Sequence, residues 1–365
     1  MAPTLPDTGF PYPVIAWDWG VAGRDQRLAR AISDVTTGGY IGSTRELLAS
    51  VRGAGRFDRR AYCTSALAAV LVRRGLSLDE QWLAEEPRNP DALLLRARAL
   101  TVRAIHASRA GSDETPALAE LATRACYRAA EAAEPDPTPW VTLLNLAEAD
   151  GPSGALPDVA PDGLAVSAPW ALFAEVTSRD LYNIEAVQRL IPRCRAVGGQ
   201  HPADEARAQV AVWAADSAPA GSPLKLLPLK HAPARDPFPD AAEAVRAGYD
   251  LAGRDKWSAR AQYVYRAVRQ EMLDERWSLA MRKAAVDLAD LWFGEGRQPP
   301  YMPLSYLSFL TDFLVQQSER DAARAVLTWM IPHATTEPWR RRGDPGQVLT
   351  QVCMQCNLQP ALIAR

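Results

Sequence analysis

Residues 86–111, EPRNPDALLLRARALTVRAIHASRAG, and residues 126–151, CYRAAEAAEPDPTPWVTLLNLAEADG, decide the fold class. Asn89-Pro90 opens the first stretch and Gly111 closes it. Proline is tolerated in the first turn of a helix because its missing N–H would have no intrahelical partner there, and glycine is suited to the position just past the end. Between these signals stand Ala, Leu and Arg, strong helix formers, with no proline and no alternation of β-branched residues. The second stretch ends one helix at Pro135 and opens another at Pro137-Thr138-Pro139. Two long apolar helices joined by a short turn predict an antiparallel hairpin.

The same grammar extends in both directions. RDQRLARAISDV, 24–35, places Leu28, Ala31, Ile32 and Val35 on one helical stripe. TTGGYIG breaks it, and Ser43 and Thr44 are expected to cap the helix that follows. GAGRFD is another break, with Asp58 the expected cap of a helix over 59–74 that Gly75 ends. Pro139-Trp140, Pro169-Trp170 and Pro338-Trp339 each read as the start of a helix. The fold class expected is therefore all-α: an α-solenoid of stacked antiparallel helical hairpins over 21–217, followed by a C-terminal block of helical hairpins over 241–365.

Residues 1–20 carry an arm rich in proline. Residues 218–240 hold six prolines and form either a linker or a strap packed on the body. Leu224, Leu226, Leu227 and Leu229 argue that its first half is buried. In the C-terminal block, Leu288, Leu291 and Trp292 lie at i, i+3 and i+4, a core stripe.

The run AAEAAEPDPTPW resembles the end of one tetratricopeptide (TPR) repeat and the opening of the next. Ala130 and Ala133 stand where small residues let helices approach, and Pro135 stands near the closing proline. The repeats are degenerate: Trp140 is one residue early for the aromatic position, Arg103 replaces an aromatic, and spacing varies from about 30 to about 47 residues against the TPR period of about 34. Over roughly residues 80–230 the chain is also similar to a group of actinobacterial TPR-like proteins, which supplies no activity to carry over. The resemblance implies a binding surface on the first helix of each hairpin, suited to an extended peptide or a partner helix.

Composition narrows the function classes. Hydrophobic residues at 48% and charged residues at 23% describe a folded chain, and a net charge of -2 creates no field that would favour nucleic acid. Lysine stands only at 225, 230, 256 and 283, and the arginine excess reads as high-GC coding bias rather than as a phosphate site. Five cysteines at irregular spacing make no disulfide framework. No apolar run approaches the length of a membrane span, and the N-terminus has no secretory pattern. A cytoplasmic protein is the expectation.

No catalytic constellation stands out. HExxH, GxSxG and glycine-rich phosphate loops are absent, the four histidines are isolated in sequence, and no cofactor is implied. Cys353-Met-Gln-Cys356, with His333 upstream, is half of a metal or redox pattern and a weak candidate. Candidate partner-binding residues are the polar ones on the first helices, Arg96, Arg103, Asn145, Glu148, Glu175, Arg179, Arg260 and Arg266, with Trp257 and Tyr263 on the same helix as Arg260. The reading is a non-enzymatic protein- or peptide-binding scaffold. The alternative is an enzyme or accessory factor of bacterial specialised metabolism, with a pocket between the two helical blocks under 218–240.

Overall fold

A computed structural model describes residues 16–17, 22–23, 25–149, 160–161, 164, 166–196, 203–228, 279, 281–294, 304–331 and 333–358. Among them the fold is all-α, with strands of two residues only. In chain order the helices are α1 (Gln26–Gly38), α2 (Gly42–Gly53), α3 (Phe57–Arg74), α4 (Leu78–Glu85), α5 (Pro90–Arg109), α6 (Thr115–Ala132) and α7 (Thr138–Leu146). Then come α8 (Trp170–Thr177), α9 (Ile184–Leu190), α10 (Ala203–Ser217), α11 (281–293), α12 (Leu304–Gln316), α13 (Arg320–Met330) and α14 (Pro345–Gln355).

Local chemistry sets most of these boundaries. Asp25 caps α1 by accepting the Leu28 N–H at 3.1 Å. Asn89 caps α5 by accepting the N–H groups of Asp91 and Ala92. Gly75 ends α3 in the left-handed conformation, φ 64°, and donates its N–H back to Leu71 and Val72. The expected caps of α2 and α3 fall elsewhere. Ser43 and Thr44 lie inside the first turn of α2 and are buried, and Asp58 lies inside the first turn of α3. In both places the helix starts earlier than the capping residue because the preceding residues already take helical or turn geometry.

Helix α5 packs against α3, α4, α6 and α7, and it is buried on nearly every side. A helix apolar all round belongs between two layers. Leu95 and Ala99 join a core shared with α1–α4, whereas Ala97, Leu100 and Ala104 join a second core. That second core runs on through Leu224, Leu226 and Leu227 to Trp292, Leu310, Trp339 and Leu349. Residues 218–228 are thus packed into the body, as the leucines imply; Leu229 lies outside the described residues. Leu288 and Trp292 are buried, but Leu291 is 38% exposed. It leans on the backbone of Gly221, where the missing Cβ leaves room. The three Pro-Trp pairs do open helical turns, at α7, at α8 and at the 3-10 turn Trp339–Arg342.

Two strand pairs close long connections. Strand β1 (Ala16–Trp17) pairs in parallel with His333–Ala334, and Val166–Ser167 pairs antiparallel with Arg195–Ala196. The first ties residues 16–17 to the C-terminal helices.

One charged group links the starts of three helices. Arg60 on α3 has no exposed side-chain surface, and its guanidinium donates to Asp91 at the start of α5 and to Asp136 just before α7, the latter at 2.6 Å. Burial works against the charge, but Asp136 and Asp91 outweigh it and hold the Arg60 pKa above its ordinary value. Asp136 also accepts the Thr138 N–H at 2.9 Å. One aspartate thereby both starts α7 and fixes α7 against α3.

Candidate functional site

A cavity of about 470 Å³ lies between α3 and the segment joining α8 to α9. Asp58, Ala61, Tyr62 and Ser65 line one wall, at i, i+3, i+4 and i+7, so they share one face of α3. Glu185, Gln188 and Arg189 line the other wall on one face of α9, and Arg179, Asp180, Tyr182 and Asn183 come from the preceding turn. Pro223 stands at the edge.

Helix α9 is set by charge as well as by packing. Arg98, in the middle of α5 and 2% exposed, forms a two-pronged bond with Glu185 at 2.7 and 2.8 Å. Arg189 donates to the same carboxylate at 3.2 Å. Burial alone would push Glu185 up, but Arg98 and Arg189, by charge and by hydrogen bond, hold its pKa below the ordinary carboxylate value. Gln188 faces the Tyr306 hydroxyl of α12, and burial pushes that phenol well up. Asn183 caps α9 through the Ala186 N–H at 2.8 Å and donates its amide to Asp180 at 2.9 Å.

On the other wall, burial raises Tyr62 to about 12, helped by Cys63 and Asp25, so its phenol stays neutral. Arg179 lies over the Trp140 ring at 5.0 Å and donates to Glu175 at 2.8 Å and to the Glu134 carbonyl at 2.8 Å. Asp58 pairs with Arg56 at 3.3 Å on the exposed side. Leu181, 61% exposed, and Tyr182 form an apolar lip. The described lining holds no His, Cys or Lys, and Tyr62, Ser65 and Tyr182 supply its hydroxyls.

Of the candidate residues read from sequence, Arg179 lines this cavity and Glu175 neutralises it. Arg96 and Arg103 turn instead to α4, where Arg96 meets Asp79 at 2.9 Å and Arg103 meets Asp79 at 3.5 Å. Asn145 is buried in α7. Glu148 bridges Arg109 and Arg193, the latter at 2.8 Å. Trp257, Arg260, Tyr263 and Arg266 lie outside the described residues. Tyr62, Asp180, Glu185 and Arg189 were not among the candidates. Only Glu185 and Arg189 carried a signal, an i, i+4 ion pair behind an Asn cap.

Cys353 and Cys356 are buried at the end of α14. Burial, and then the neighbouring Cys356, raise the Cys353 thiol to about 12. Among the described residues no group of three or more His, Cys, Asp or Glu side chains is placed to hold a metal ion. No described helix is long and apolar enough to cross a membrane. No protein-family model, no curated protein and no solved structure matches the chain.

Proposed function

We propose that the chain is a non-enzymatic peptide-binding protein built on a short TPR-like stack, with the cavity between α3 and the α8–α9 turn as its binding site. The order of helix contacts supports the stack. α1, α3, α5 and α7 contact one another in turn, α2 packs against α1 and α3, α4 packs against α5, and α6 packs against α5 and α7. A run of helices in this contact order fits the first and second helices of successive hairpins. On this reading α9 belongs to the inner side of the stack, since it touches both α3 and α7 and its Glu185 reaches Arg98 of α5. The observation that carries the reading is the cavity itself, walled by the first turns of α3 and by polar groups that converge on it.

Replacing Ser65 by Phe fills the cavity from the α3 side and tests this. Equilibrium dialysis with a pool of unlabelled free random peptides of two to six residues is expected to show saturable binding by the wild type and loss of it in S65F. Mass spectrometry of the pool is expected to show every peptide intact after incubation. Binding that ignores S65F sinks the site, and consumption of peptide sinks the non-enzymatic reading.

Pro223 at the cavity edge favours a second reading, an accessory factor or enzyme of specialised metabolism with a pocket under residues 218–240. Turnover in the same assay is the result that selects it.

A further inference from the structure

The charge pattern of the cavity points to a narrower ligand class: we infer that it takes a short free peptide, recognised through both its ammonium and its carboxylate terminus. The inference deepens the peptide-binding reading and rests on it.

Two poles carry the argument. Arg98, Glu185 and Arg189 combine two guanidiniums with one carboxylate, so the group carries one positive charge in excess. Arg98 is 2% exposed, whereas Arg189 is 35% exposed and lines the cavity, so the excess is presented there. The opposite pole is Asp180. Its carboxylate accepts the Asn183 amide, and among the described residues no cationic side chain lies within 4 Å of it.

The other charges on the walls cancel. Arg179 is neutralised by Glu175, and Asp58 is paired with Arg56. Phe57, Tyr62 and Tyr182 also line the cavity and offer ring surface to apolar side chains. A ligand of one charge sign would meet one pole as a repulsion. A zwitterion satisfies both.

Size selects a short peptide among zwitterions. The cavity volume falls in the range of about 300–1,000 Å³ usual for small-ligand sites.

Isothermal titration calorimetry of the full chain tests this. The probes are a pool of free tripeptides Ala-Ala-X, with X Phe, Leu, Tyr, Ser, Glu and Lys, and the same pool N-acetylated, C-amidated, or both. The free pool is expected to bind, and blocking either end is expected to weaken binding by about tenfold or more, the size of one lost charge-assisted bond. Asp180→Asn is expected to abolish discrimination against the acetylated pool and leave that against the amidated pool. Arg189→Gln is expected to do the reverse, with the helix retained because Glu185 keeps Arg98. Doubly blocked tripeptides that bind as well as free ones overturn the zwitterion inference and leave the peptide-binding reading standing. Failure of the free tripeptide pool overturns the inference, and failure of the whole pool of two- to six-residue free peptides as well takes the broader reading with it.

Discussion

Removing Arg60 should cost more than any other single charge in the α1–α7 region. The replacement Arg60→Met keeps most of the side-chain volume and deletes the guanidinium. Asp91 would retain Arg52 at 3.4 Å, but Asp136 would keep only the Thr138 N–H. Both carboxylates are almost fully buried, at 1% and 3% exposed. Two hydrogen bonds between charged groups vanish, each worth about 1.5–3 kcal/mol. The sum overlaps the loss of about 3–5 kcal/mol found when one partner of a buried ion pair is removed. The expected loss for R60M is therefore about 3–5 kcal/mol. Adding Asp136→Asn removes the stranded charge while preserving a side-chain oxygen for the Thr138 N–H, so the double variant should regain about 1–2 kcal/mol, within the usual range of coupling between contacting sites. Urea titration followed by circular dichroism reads both. Hydrogen exchange should show protection falling first at the starts of α3, α5 and α7. A loss below about 1 kcal/mol for R60M, or a double variant no more stable than the single one, would refute the reasoning that this buried network holds the three helix starts together.

Glu185→Gln should cost about 3–5 kcal/mol at neutral pH, because it leaves Arg98 buried without a counter-charge. The Glu185 pKa is depressed in the folded state, so its stabilisation is fully present above the ordinary carboxylate value of about 4.3 and fades as pH falls through the lower folded value. Urea midpoints of wild type and E185Q should therefore converge in acid and stay apart from pH 5 upward. Gly75→Ala should cost about 1–2 kcal/mol, because its φ of 64° penalises a Cβ although nothing lies within 4 Å of where it would sit. Thermal melts check this, and a neutral result would mean the α3 end relaxes. All five cysteines are buried, and burial pushes the Cys126, Cys194 and Cys353 thiols to about 12. Iodoacetamide at pH 8 should label none of them in the native protein and all of them in urea, as counted by intact mass. Fast native labelling of Cys353 would reopen the CxxC reading.

The helices were legible where the chain announces its own ends. The Asn89-Pro90 opening and the Gly111 stop of α5 can be read directly, and the helix expected to end at Pro135 appears as Thr115–Ala132. Side-chain partners were not legible. Arg96 and Arg98 differ by two positions on one helix, yet one turns to Asp79 on α4 and the other to Glu185 on α9, 87 residues away. Periodicity assigns a residue to a stripe, but it does not say whether that stripe meets solvent, a neighbouring hairpin or a returning segment. Arg60 shows the same limit, since a buried arginine is recognisable only once its acceptor 76 residues downstream is known. Tyr62 and Asp180 escaped notice for a related reason: a cavity wall has no local pattern distinct from an ordinary helix face or turn.

On the stacked-hairpin, peptide-binding reading, the position of α9 decides what size of ligand fits. In an open hairpin array, the first helices offer a continuous inner groove long enough for a partner helix. Here α9 touches α3 and α7, and its Glu185 is locked to the middle of α5 by a pair that leaves Arg98 almost no solvent. A partner helix laid along α3, α5 and α7 would have to displace α9 and strand that guanidinium, at a cost of about 3–5 kcal/mol before any new contact forms. Gln188 facing Tyr306 of α12 gives α9 a further tie. What remains open is the face of α3 bearing Asp58, Ala61, Tyr62 and Ser65, and it is closed over by the α8–α9 turn. On the peptide-binding reading, the segment that fills the groove is therefore the same segment that builds the cavity. It replaces a long, sequence-tolerant surface with a short enclosed one, where both ends of a ligand can be sensed at once.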